Sequence, residues 1–387
     1  MFSISTFQEL LKGLPRQKFD ALVKKHNADK YSKKFSHWQH LIAMMYGQLS
    51  GASSLRTLAI GFNSHQSHHH HLDAVPIKRT TVADANIRRG DAVFAETAAW
   101  LMKLTSRRVR SDSAELMYLL DSTSLTLKGR EFDRWTMDNS TRNTQGMKVH
   151  VLLDASTQCP DWYSFSAANV NDIQKAWEVP LCRGALYVFD KGYCDYSWWH
   201  AINEAGAFFV TRFKSNAGLS VVEQREIPTD AEGVISDEIV QLKHRNSGGK
   251  KNPYISVLRR VTIARPDKET PLVLATNDLQ SSALEIAKRY KERWGIELFF
   301  KWIKQHLKIK SFFGRTENAV RIQVLTALIS YLLIALYKQR TAYNGTLWEC
   351  LVLVRETLFQ RGGTEVSRYR RQRRYREEVA ARQGCLF

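Results

Sequence analysis

Residues 282–309 read SALEIAKRYKERWGIELFFKWIKQHLKI, and the rest of the chain is interpreted most easily outward from this segment. Tyr290, Glu297 and Lys304 are seven residues apart twice, and Arg293 lies three residues after Tyr290 and four before Glu297. At 3.6 residues per turn, seven residues return almost to the same face, so a helix presents Tyr, Arg, Glu and Lys in a row. Ile296, Phe300, Ile303 and Leu307 make a separate 4-3-4 stripe, the face such a helix buries. Arg293 and Glu297 could be an ordinary i,i+4 surface pair. However, Glu297 sits within WGIELFF, an apolar setting for a carboxylate that only solvates a surface.

Upstream, two aspartates end apolar strands. LMYLLD ends at Asp121 and ALYVFD at Asp190. Taken singly, each is the common Asp that starts a turn. A charge at the edge of a buried strand is costly unless it is paired or holds a cation. Asp154, ending KVHVLLD, is a rival for either role. One Glu meeting two strand-end Asp residues makes an oxygen-rich site suited to Mg²⁺. Two such ions can clamp the oxygens of an in-line phosphoryl displacement. Arg293, Lys304 and the Tyr290 hydroxyl are then placed to hold DNA phosphates.

The apolar or alternating segments 116–121, 147–154, 162–167, 185–190 and 207–213 have strand length, with helical candidates at 172–179 and 196–205. Three strands followed by strand–helix alternation describe an α/β mixed sheet flanked by helices. Residues 218–280 alternate weakly around Asn246-Ser247-Gly248-Gly249 and Pro271 and read as an inserted small β region.

The first 110 residues hold 17 Lys+Arg and 7 Asp+Glu and read as helical. Ser36 is placed to cap a helix to about Leu49, and Ser53 a second to about Phe62, around a Gly-containing turn. This pattern fits a DNA-binding helix-turn-helix or an ordinary helical bundle. His65 and the run His68-His69-His70-His71 lack the spaced, converging ligands of a zinc site and read as a solvated turn. Thr81 and Asp84 have capping-box spacing and predict one helix to about Leu104.

Composition agrees. The 387 residues carry 57 Lys+Arg against 38 Asp+Glu, a net +19 that calls for a polyanionic partner, while 44% hydrophobic content excludes general disorder. The apolar stretch 324–337 is short of a spanning helix and predicts a buried core helix, so no membrane is expected. Five scattered cysteines without a CxxC pair, and an N-terminus without export features, predict free thiols and a cytoplasmic location. The C-terminal RYRRQRRYR (368–376) suits non-specific phosphate contact or a solvated tail. Trp198-Trp199 and Phe312-Phe313 read as packing residues.

Asp121, Asp190 and the spaced Tyr290-x2-Arg293-x3-Glu297-x6-Lys304 resemble the insertion sequence 4 family of DDE transposases, whose hallmark is that Tyr-Arg-Glu-Lys signature. The resemblance extends through SFFGRTENAV (311–320), covers about residues 116–340, and touches the N-terminal region. It implies an RNase H-like core with Asp121, Asp190 and Glu297 as ligands of two Mg²⁺ ions, for which Mn²⁺ could substitute. Tyr290 and Arg293 then contact phosphate near the cleaved end, and Lys304 the element end.

The implied organisation is a helical DNA-binding domain at 1–75 and a connecting helix at 76–112. The catalytic core takes 113–217 and 281–340, the β insertion 218–280 and a basic region 341–387. The implied activity is binding of terminal inverted repeats, cleavage at the ends and joining of 3′-OH ends to target DNA, by a homodimer in a synaptic complex in a bacterial cytoplasm, associated with the nucleoid. Some relatives form a hairpin aided by a Trp in the insertion. Residues 218–280 contain no Trp, so Tyr254 stacks in its place or another route applies. The competing readings are a sequence-specific DNA-binding protein with a silent core, and a Mg²⁺-dependent endonuclease without strand transfer.

Overall fold

The structure is a computed structural model and describes residues 4–32, 34–110, 115–139, 144–243, 251–266 and 268–361. Its helices up to the sheet are α1 (Thr6–Leu11), α2 (Arg16–Lys25), α3 (His37–Ser50), α4 (Leu55–Asn63), α5 (Arg79–Arg88) and α6 (Ala92–Val109). Then come β1 (Met117–Thr126), β2 (Met137–Asn139), β3 (Thr144–Asp154), β4 (Cys159–Ala167), α7 (Asp172–Ala176), β5 (Leu186–Phe189), α8 (Tyr196–Glu204) and β6 (Phe208–Arg212). The chain continues through β7 (Leu219–Gln224), β8 (Val234–Leu242), β9 (Leu258–Arg265), β10 (Lys268–Thr276), α9 (Ala283–Glu292), α10 (Trp294–His306), α11 (Glu317–Arg340) and α12 (Leu347–Glu356). Two compact units result: Met1–Val109 with Gly129–Trp135 and Trp302–Phe387, and Arg110–Lys128 with Thr136–Lys301. The division falls inside α10, whereas the sequence reading kept 281–340 together.

The first unit is helical. α11 is apolar all round, as a helix enclosed by others must be. It is long and apolar enough to cross a membrane, yet 94% of its apolar window is buried within the protein, against α3, α5, α6 and α12. The reading of 324–337 as a core helix holds. Gln323, fully buried on α11, accepts from Phe313 N at 2.8 Å and donates to the Lys308 and Ser311 carbonyls, so the polar group inside this core is satisfied.

Three local expectations in this unit change. The second N-terminal helix is capped by Ser54, one residue later than expected, because Gly51 first turns the chain through a left-handed φ of 69°. The single helix expected from Thr81 to Leu104 is two, broken at Arg89, whose guanidinium leaves the helical path to reach the Ser36 carbonyl at 3.0 Å. The His run is a short 3₁₀ helix rather than a solvated turn. His69 is buried, stacks on Phe62 and bonds its carbonyl at 3.0 Å, while His65 stacks on Phe359.

The second unit is built on one ten-stranded sheet among the described residues, with order β2-β3-β1-β5-β6-β10-β9-β8-β7 and β4 beside β3. β4, β3 and β1 are antiparallel, and β1, β5 and β6 are parallel. This is the RNase H-like mixed sheet expected from the sequence. The insertion does not stand apart: β10 pairs antiparallel with β6, so the inserted strands extend the core sheet. Trp198 and Trp199 are buried with Phe189 and Phe209 in its core, as read. Tyr254 is buried there too, only 1% exposed, and is not available as a surface for a base to stack on. Asn246–Gly249 and the Arg-rich 368–376 lie outside the described residues.

Candidate active site

The sheet register assembles the polar site. β1 and β5 run parallel with Leu120 beside Phe189, so Asp121 and Asp190 are the next residues along adjacent strands. β5 and β6 run parallel with Val188 beside Val210, an offset that puts Arg212 level with Asp190. Asp121, Asp190 and Arg212 thus stand side by side just past the parallel-paired stretch of the three strands. Asp121 does not end its strand as LMYLLD suggested: β1 runs on to Thr126 because its pairing with β3 continues beyond the pairing with β5.

Glu297 comes from above. α10 approaches β1 closely at Gly295, where a Cβ would lie 3.1 Å from Leu119 Cδ1. The expected single helix is interrupted: Arg293 ends α9, its N–H bonding the Tyr290 carbonyl at 3.2 Å, and the Ile296 N–H bonds the Arg293 carbonyl at 3.2 Å. The i,i+4 pair nevertheless survives, Arg293 Nη2 donating to Glu297 Oε1 at 2.6 Å. The 4-3-4 stripe of Ile296, Phe300, Ile303 and Leu307 is buried. Tyr290 is buried with the Arg293 guanidinium 5.8 Å from its ring centre.

Arg293 is the electrostatic centre. It bonds Glu297, lies 4.0 Å from Asp121, and its field also reaches Asp190. Burial lifts the Asp121 carboxyl to about 6, with the charges of Glu297 and Asp172 adding to the rise and the Ser122 N–H and Arg293 opposing it. Burial pushes Asp190 up as well, but the Arg212 bond at 2.5 Å, the Lys191 N–H and the fields of both arginines outweigh it and leave Asp190 below the ordinary value. Burial, with the neighbouring Lys310, lowers the Lys304 ammonium. Lys304 lies about two turns beyond Glu297 on α10, in the part belonging to the helical unit.

The rival Asp154 is structural. It is buried and accepts from Arg110 Nε at 2.8 Å, Ser156 N at 2.9 Å and Ser156 Oγ at 2.7 Å, which close the turn after β3. Sequence reasoning missed Arg212 and Asp172. Arg212 was detectable as a cation ending FFVTR, but only the parallel pairing of β5 with β6 sets it beside Asp190. Asp172 accepts from Ser122 Oγ and buried Lys148 Nζ, both at 3.0 Å, behind Asp121.

The donor set fits a hard divalent cation in kind, since all three groups are carboxylates. Among the described residues, no three carboxylate, imidazole or thiol groups converge tightly enough to hold a metal ion in this arrangement.

The transposase DDE domain family matches residues 112–333, more than half of the chain. The chain is a DDE transposase. A candidate transposase of Sinorhizobium fredii, y4zB, is 44% identical over 284 residues, covering 72% of this chain and 77% of that protein. A candidate transposase for the insertion sequence element IS4SA of Synechocystis is 26% identical over 66% of this chain and 71% of its own, which agrees with the insertion sequence 4 type. The candidate transposase for element IS5377 of Geobacillus stearothermophilus is 29% identical over 57% of this chain and 56% of its own. A domain of unknown function, DUF4372, matches residues 3–73 of the transposase. A solved piggyBac transposase synaptic complex with hairpin DNA aligns over 97% of this chain and 85% of its own at TM-score 0.46 and 12% identity, too distant a likeness to decide anything here.

Proposed function

We propose that this transposase binds the terminal inverted repeats of its element, cleaves at the element ends and joins the 3′-OH ends to target DNA. Asp121, Asp190 and Glu297 hold two Mg²⁺ ions, which Mn²⁺ can replace. The ions supply charge that steadies the attacking and leaving oxygens of phosphoryl displacement. Arg293 and Tyr290 hold phosphate beside them, and Lys304 holds the element end. Two copies act on the two ends, with the +19 charge and the N-terminal helices supplying the wider grip on DNA. One observation carries this reading: Arg293 bonds Glu297 of α10 and lies 4.0 Å from Asp121 of β1, while Asp190 follows β5, the strand paired parallel with β1.

Purified protein, Mg²⁺, end-bearing DNA and a target plasmid test it. Cleaved and joined products are expected. Cleavage without joining would leave a nuclease, and binding without cleavage would leave a DNA-binding protein with a silent core. Glu297→Gln should lower cleavage by at least about a hundredfold, from loss of one ligand charge at the reacting phosphate, while DNA affinity stays within about twofold. Full activity in that variant would sink the ligand assignment.

A further inference from the structure

A groove of about 1030 Å³ opens beside Asp190 within the sheet unit. Its lining includes Lys191, Arg212, Lys214, Arg260 and Arg265, from the end of β5, from β6 and the residues after it, and from β9. Three of these cations have fixed local partners. Arg260 bonds Glu238 at 2.6 Å, Arg265 the Thr270 carbonyl at 2.9 Å, and Lys214 the Cys194 carbonyl at 3.1 Å. Arg212 differs, because its partner is the candidate metal ligand itself, Asp190.

Arg212 is also poorly satisfied. Its Nε is buried without a hydrogen-bond partner, and the same holds for Nε of Arg293. A guanidinium in this state favours a ligand that can take two parallel N–H bonds, and a phosphodiester does so. Each arginine holds a carboxylate that a metal ion would need, and each puts a positive charge where a divalent cation must come.

We propose that Arg212 is an exchangeable counter-ion. It neutralises Asp190 in the DNA-free protein and passes to a phosphate when a DNA strand enters the groove, which frees the carboxylate for metal. DNA and metal binding are thereby coupled, and linkage requires each to strengthen the other by the same factor. The proposal rests on the reading of Asp121, Asp190 and Glu297 as metal ligands and adds the order of events at that site. The consequence is a chain whose metal site fills in step with its substrate.

The test is Mn²⁺ binding to the full chain, followed by electron paramagnetic resonance of free Mn²⁺, with and without a random-sequence DNA duplex and corrected for DNA alone. Wild type should bind Mn²⁺ about tenfold more tightly with DNA, an ordinary coupling. Arg212→Gln should bind Mn²⁺ about tenfold more tightly than wild type without DNA and lose most of the DNA effect. Arg212→Lys, which keeps the charge and reports on folding, should match wild type without DNA. The proposal fails if DNA leaves wild-type Mn²⁺ affinity unchanged, or if the DNA effect persists undiminished in Arg212→Gln. Failure of the underlying ligand assignment looks different: Glu297→Gln would then leave Mn²⁺ binding unaltered.

Discussion

Burial and the nearby charges of Glu297 and Asp172 hold Asp121 at about 6, against 3.8 for the free side chain. Because the folded state binds this proton more tightly than the unfolded state, the group's stabilising contribution is present below about pH 4 and lost as pH rises through 6. The ionised Asp121 therefore costs up to about 3 kcal/mol at pH 8, at about 1.4 kcal/mol per unit. Asp121→Asn should raise stability at pH 8 by up to that amount, and by much less at pH 4, in denaturant titrations with chelator present. An equal effect at both values would contradict the electrostatic account. The Asp was legible from LMYLLD; its raised pKa was not, since that depends first on burial and then on charges from α7 and α10.

At the scale of elements, a buried ion pair ties β9 to β8 and reaches the residue before the cap of α9. Arg259 on β9, 2% exposed, bonds Asp237 of β8 at 2.8 and 2.7 Å and also the Ser281 carbonyl. Asp278 accepts from Ser281 Oγ at 2.5 Å and Arg289 Nη1 at 2.7 Å, which joins the start of α9 to the same network. Arg259→Ala leaves Asp237 buried and unpaired and should cost about 3–5 kcal/mol in equilibrium unfolding. Replacing both Arg259 and Asp237 by apolar residues should recover most of that loss; a double variant as weak as the single would argue that packing, not charge, is at stake. Gly295 gives a second test. Gly295→Val would drive branched methyls toward Leu119 and push α10 off β1, so DNA cleavage should fall by at least about tenfold, while far-ultraviolet circular dichroism stays near wild type. Unchanged cleavage would mean that α10 does not need this close approach.

For the whole molecule, an excess of 19 positive charges predicts salt-dependent association. Affinity for random-sequence DNA should fall by about 10³ or more between about 50 and 200 mM salt, as released counterions compete for the phosphates. Fluorescence anisotropy across a salt series measures the slope, and a flat response would show that the charge is spread too thinly to grip a backbone. The same scale explains α11. Its sequence satisfies the length and composition of a membrane span, and only its enclosure by α3, α5, α6 and α12 makes it a core helix.

The sequence alone located most of the core strands, helices close to α7 and α8, and the buried stripe on α10, and it singled out Asp121, Asp190 and Glu297 as candidates. Periodicity is a local property that survives folding, whereas a strand's end depends on its neighbours: β1 passes Asp121 because β3 pairs with it as far as Thr126. The tertiary structure decided the rest. Parallel pairing of β1, β5 and β6 brought Arg212 beside Asp190, and the joining of β10 to β6 made the insertion part of the core sheet. Asp154 was assigned to a turn by Arg110, Tyr254 was withdrawn into the core, and the His run was packed against Phe62 and Phe359. Each of these depends on a partner distant in the chain, and a charge or a ring has no fixed role until its neighbour and its exposure to water are set.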